Sequence, residues 1–244
     1  MRVSALTPQR LLRGWEEGLG RGRVARAVAL AAAAGGHSFA EACDLPLGAR
    51  DALLVALRDA CVRGDVQALA YCPACGEELD VAVPLSDLAR RAEAVPGEVT
   101  VGGRRVGFRA LTSRDVMAAE AAGPTRAGAR RCLVGRCVLA VDGEALEGRA
   151  LDALDQEVLD AVAAALPAVD PGADVRLDLT CALCGHGWAA PFDVAAHLWA
   201  EVDACARGLL GEVHALARAY GWREEEVLAL SAARRRFYLE AVGA

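Results

Sequence analysis

Apolar residues recur along this chain in two rhythms, and the change from one to the other divides it. Steps of three and four, which place side chains on one face of a helix, dominate the first sixty residues. "LTPQRLLRGWEEGL" predicts a helix with Thr7 as N-cap and Pro8 in the first turn. "RVARAVALAAAA" predicts a second that stops at Gly35-Gly36. "LGARDALLVALRDACVRG" predicts a third, with Leu53, Leu54, Leu57 and Cys61 on one face and Gly64 as its stop. In "DVQALAYCPACGEELDVAVPL" the rhythm becomes alternation, which predicts two short strands joined by a tight knuckle at Cys72 and Cys75.

The middle returns to helical spacing with one interruption. "SDLARRAEA" predicts a short helix, and "GEVTVGGRRVGFRAL" predicts a two-stranded hairpin turning at Gly102-Gly103. Three helices are predicted next: "LTSRDVMAAEAA", capped by Thr112 or Ser113, then "TRAGARRCLVGRCVLAV", then "LDALDQEVLDAVAAAL". The last would bury Leu151, Leu154, Val158 and Val162, and Pro171-Gly172 breaks the chain after it. "ADVRLDLTCALCGHGWAAPFDV" then repeats the strand–knuckle–strand arrangement around Cys181 and Cys184. Leu198, Val202, Cys205, Leu209, Val213, Leu216 and Tyr220 form a helical stripe ended by Gly221, and "REEEVLAL" starts another helix with three carboxylates at its positive end.

The predicted fold is therefore α+β and mainly helical, with a split zinc-ribbon-like pair of four-cysteine knuckles on short β-hairpins. Its parts are an N-terminal helical region (1–64), a first knuckle hairpin (65–85), an insertion with a hairpin and helices (86–170), a second knuckle hairpin (171–193) and C-terminal helices (194–244).

Composition narrows the partners. Of 244 residues none is Lys, Asn or Ile, the usage expected of a GC-rich genome, so arginine clusters and alanine runs carry little weight by themselves. The net charge of −6 speaks against broad nucleic-acid binding, which needs a cationic surface. No stretch is long and apolar enough to span a bilayer. "RGRVARAVALAAAAGG" imitates a signal peptide, but it follows Glu16 and Glu17 and is rich in alanine, so a buried helix is the better reading. The expected location is the cytoplasm, with incorporation into a larger particle as an option.

Nine cysteines make an odd set. Cys43, Cys61, Cys132, Cys137 and Cys205 stand singly in apolar or helical contexts and read as small core residues. The other four form two C-x-x-C-G knuckles, which favours metal binding in a reducing compartment over a disulfide framework. A structural zinc ion takes four ligands in a tetrahedron, and one knuckle supplies two. The leading reading is one structural zinc per chain, shared by Cys72, Cys75, Cys181 and Cys184 although 109 positions separate the first of each pair. Two alternatives stand beside it: an ion for each knuckle, with His186 or a second subunit completing the shell, or a redox dithiol. A reactive dithiol sits at a helix N-terminus, whereas these lie between strands. Four thiolates leave no open position for catalysis. Loss of such an ion is expected to unfold the protein.

Other chemistry is thin. His37, His197 and His214 are scattered, and no G-x-S-x-G, P-loop or dinucleotide fingerprint occurs. Arg234, Arg235 and Arg236 read as a solvated helix face balanced by Glu224, Glu225 and Glu226, with contact to an acidic partner as the second option.

The two C-x-x-C-G knuckles, the central "VGFRALTSRDVMAAE" and the ending "EVHALARAYGW…VLAL…RRRFYLE" together resemble the baseplate hub assembly proteins of contractile-tailed phages and phage-derived contractile injection systems. The resemblance spans most of the chain. It implies a non-enzymatic adaptor or chaperone whose partners are hub, spike or tube-initiator proteins, with no small-molecule substrate. It also implies Cys72, Cys75, Cys181 and Cys184 as metal ligands. The region from Tyr220 to Leu239 would be characteristic of the family, and within it Tyr220, Trp222, Arg234, Arg235 and Arg236 are the expected partner contacts. The competing reading is a zinc-ribbon regulator that binds nucleic acid; a third is a thiol oxidoreductase.

Overall fold

The computed structural model describes residues 7–61, 64–84, 93–123, 125–146 and 154–243. Four N-terminal helices come first: α1 (Pro8–Gly18), α2 (Arg23–Gly35), α3 (Phe39–Cys43) and α4 (Leu47–Cys61). The Thr7 side chain accepts from the Arg10 N–H at the start of α1, and Gly36 closes α2 in the left-handed region. The segment that imitates a signal peptide is α2, whose Val28, Ala29, Leu30 and Ala31 are buried. Among the described residues no helix is long and apolar enough to cross a membrane.

Strands β1 (Val66–Tyr71) and β2 (Glu78–Val83) form the first knuckle hairpin. The insertion follows: β3 (Gly97–Val101), β4 (Arg104–Phe108), α5 (Ser113–Ala121), α6 (Arg126–Gly135), β5 (Val138–Val141), β6 (Glu144–Ala145) and α7 (Gln156–Val169). Then come β7 (Arg176–Thr180) and β8 (Gly187–Pro191), the second knuckle hairpin, and the C-terminal helices α8 (Val194–Tyr220), α9 (Glu224–Ala229) and α10 (Ala232–Ala241). The predicted helix at "SDLARRAEA" falls almost wholly outside the described residues, as does Leu151, and the side chain of Cys61 is likewise outside them.

Two cores carry the weight. Leu11, Leu30, Leu54, Leu198, Leu216 and Val227 meet in the first, between α1, α2, α4, α8 and α9, and Val66 and Val83 tie the first knuckle hairpin to it. The second packs α7 through Val158, Leu159 and Val162 on Val106, Phe108 and Val138 of the sheet, with Val134 of α6 beside them. The insertion rests on the N-terminal helices: the Leu47 N–H donates to the Leu111 carbonyl (2.9 Å), the Gly48 N–H donates to Asp170 Oδ2 (2.9 Å), and Arg114 pairs with Asp44.

Four expectations need correction. "TRAGARRCLVGRCVLAV" is not one helix, because α6 ends at Gly135 and Val138–Val141 is a strand. β-Branched residues and a two-residue turn, Asp142 and Gly143 both at positive φ (53° and 87°), favour a hairpin there. The "GEVTVGGRRVGFRAL" hairpin is accordingly half of a four-stranded sheet in the order β3-β4-β5-β6. On α8 the buried stripe passes through Ala206, with Cys205 half-buried, and Tyr220 at its end is 40% exposed, where the helix has run past the core. Finally, the arginines 234–236 are not one solvated face. Arg235 turns inward, 7% exposed, and pairs with Glu212 of α8 (Nε to Oε2, 2.7 Å), while Arg234 and Arg236 face out.

Candidate metal centre

Each knuckle is built by the same short hydrogen-bond pattern. In the first, the Cys72 N–H donates to the Glu77 carbonyl (2.8 Å) and the Gly76 N–H to the Cys72 carbonyl (2.9 Å). In the second, the Cys181 N–H donates to the His186 carbonyl and the Gly185 N–H to the Cys181 carbonyl, both at 2.9 Å. Register agrees as well, since Tyr71 faces Glu78 and Thr180 faces Gly187. Gly76 and Gly185 take φ of 78° and 73°, a left-handed conformation that glycine adopts without strain and that folds each loop back beneath its second cysteine.

Helices set the two hairpins opposite one another. Buried Arg58 of α4 holds Glu201 of α8 (Nε to Oε2, 2.8 Å) and donates to the carbonyls of Gly64 and Asp65, fixing where β1 begins. At the other hairpin the Phe192 N–H donates to the Val175 carbonyl (2.8 Å), and Asp193 then caps α8 by accepting from the Ala196 N–H (2.8 Å).

All four sulfurs converge. Cys72 Sγ lies 3.7 Å from Cys184 Sγ, Cys75 Sγ lies 3.6 Å from Cys181 Sγ, and all four are within 4.8 Å of one another. A tetrahedral ion with metal–sulfur bonds of about 2.3 Å requires sulfur–sulfur edges of about 3.8 Å. The cluster is therefore close to ligand spacing and far from the ~2 Å of a disulfide bond. Cys72 and Cys181 are buried, whereas Cys75 and Cys184 face solvent.

Proton affinities in the cluster diverge. Burial raises the Cys72 thiol, but hydrogen bonds from the Cys75 and Ala74 backbone and from neighbouring thiols reverse this and bring it down to about 7. At Cys75 the Glu77 N–H pulls downward, yet burial and the other three thiols push it up to about 12. One thiolate forms readily, and Cys75 and Cys184 resist ionising beside it. Four negative sulfurs this close need a cation between them. The donor set, its spacing and its electrostatics fit a metal ion.

His186 is not among these ligands. It stacks on Trp188 with centroids 6.1 Å apart, and only its backbone serves the knuckle, the carbonyl accepting from the Cys181 N–H and the N–H donating to the Cys184 sulfur. Of the C-terminal residues, Tyr220, Trp222 and Tyr238 form one aromatic cluster, with Tyr220 and Trp222 stacked at 4.7 Å and Trp222 edge-on to Tyr238 at 5.0 Å. Trp222 and Tyr238 also pack against the first core, so this region closes the helical bundle. The structure adds an outer apolar face on β1: Leu69 and Tyr71 are 60% and 62% exposed, and Leu183 at the other knuckle tip is 70% exposed. Strand alternation puts Leu69 and Tyr71 on the face opposite buried Val66, so the sequence pattern marks them as outward. Comparison with family models, curated proteins and solved structures finds no match to this chain.

Proposed function

We propose that this chain is a non-enzymatic, zinc-stapled structural or assembly protein that works by presenting rigid surfaces to protein partners. The observation that carries the reading is the convergence of four thiols from two distant, matching hairpins. A tetrahedral ion held by all four would have no open position for water or substrate, which favours a clasp over a catalytic centre. Zinc is the proposed ion because it favours tetrahedral thiolate sets and is redox-inert. The exposed apolar side chains Leu69 and Tyr71 on one face of β1, and Leu183 at the tip of the other knuckle, are compatible with a protein-facing role.

The setting rests on the resemblance to baseplate hub assembly proteins. In that setting the partners are hub, spike or tube-initiator proteins of a contractile tail. Affinity purification from cells producing such particles tests it. Recovery of hub or spike components is the expected result; robust nucleic-acid binding in a low-salt mobility assay, without them, would favour a zinc-ribbon regulator instead.

A further inference from the structure

Between α1 and the α2–α3 corner lies a cleft of about 530 Å³, walled by Arg10, Arg13, Arg21 and Phe39 over a floor that includes Ala32 and Gly36. Across much of the molecule arginines are matched to carboxylates, as in Arg114–Asp44, Arg130–Asp160 and Arg207–Asp203. Arg10, Arg13 and Arg21 have no carboxylate partner among the described residues.

Two of the three nonetheless pack against the cleft. Arg21 lies over the Phe39 ring at 4.8 Å, and the Arg10 guanidinium lies so close to Gly36 that a Cβ there would stand 2.8 Å from its Nη2. Nearby acids cancel the charge only in part. Glu41 is committed to Ser38, accepting from its N–H and its hydroxyl at 2.8 Å each, which leaves Glu17 as the one acid lining the cleft.

The spacing of the charges decides the ligand. Arg10, Arg13 and Glu17 step along one face of α1 over roughly 10 Å at helical rise, with Arg21 just past its end. This is a row, not a nest, and the Ser38 donors that would grip a compact phosphate are occupied. Guanidinium forks match carboxylates in pairs. We infer that the cleft binds an acidic, extended segment of a partner protein, one carboxylate per arginine. Only the identity of the occupant as a protein rests on the assembly reading; the arginine row owes nothing to the thiol cluster.

The test uses the full, zinc-loaded chain and a fluorescein-labelled oligoglutamate peptide, read by fluorescence anisotropy at low and high salt. Wild-type protein binds the peptide and releases it as salt rises. The triple variant Arg10→Gln, Arg13→Gln, Arg21→Gln weakens binding by about tenfold or more, with metal content and thermal melt unchanged. A control of equal charge, Arg105→Gln, Arg126→Gln, Arg218→Gln, keeps wild-type affinity. Equal loss in the control would overturn the inference, as would absence of peptide binding at low salt. Displacement of the peptide by inorganic phosphate or by oligothymidylate at lower concentration than by free oligoglutamate would also overturn it. A protein that holds its metal yet fails these tests loses this inference alone.

Discussion

Asp115 is a carboxylate with no exposed surface, and it survives there because everything around it donates. Arg109 binds it in a fork (2.6 and 3.1 Å), Arg136 adds Nε at 2.9 Å, and the Thr112 N–H and hydroxyl complete the set. Burial pushes its carboxyl upward, but Arg109 and Thr112 more than reverse this, so it lies below the ordinary carboxylate value. A lowered folded value means its contribution is complete above the unfolded value near 4 and is lost as pH falls through the folded one. Asp115→Asn should cost about 2 kcal/mol at neutral pH, because two partly exposed guanidinium groups lose their anion. Urea unfolding at neutral pH and below pH 4 checks this, and the variant's acid loss of stability should be the shallower. Arg235 makes the same point from the other sign. Its neighbours Arg234 and Arg236 look identical in the sequence, and only Glu212 on another helix and the Leu230 carbonyl (2.7 Å) distinguish it. Arg235→Ala should destabilise by about 2 kcal/mol, against under about 0.5 for Arg234→Ala or Arg236→Ala, measured by thermal melts. No local pattern could have shown this, because the partner is brought in by the fold.

Among the elements, those with their own start and stop signals were legible. Thr7 and Pro8 at α1, Gly36 after α2, Thr112 at α5 and Gly221 after α8 stand where caps were expected. The strand β5 was not, because the Cys132–Cys137 stretch continues a plausible helical spacing and the following Asp142-Gly143 turn decides the matter. The knuckle hairpins were legible twice over, once as alternation and once as a repeat. Their shared geometry makes a specific claim about their glycines. Forcing a Cβ into the left-handed region costs on the order of 1–2 kcal/mol, so Gly185→Ala should weaken metal affinity roughly tenfold. A competition titration against a chromogenic chelator reads this directly.

On the scale of the whole molecule, the sequence could pair the cysteines but could not show how much of the fold stands apart from them. Chelation was expected to unfold the chain. The two cores, however, are closed largely by helices and by the four-stranded sheet, and the thiols lie outside both. Two-stranded hairpins are marginal alone, so metal removal should melt β1–β2 and β7–β8 first and leave the helices standing. Far-UV circular dichroism should change little on chelation, while hydrogen exchange accelerates at residues 66–83 and 176–191. The position of the insertion is also a property of the whole: it is fastened to α3 and α4 through Asp44, Leu47 and Gly48. The account turns on a single shared ion, which metal analysis of the purified chain tests most directly. It predicts about one zinc per chain, lost alike in Cys72→Ser and Cys181→Ser; two ions per chain, or none, would contradict it.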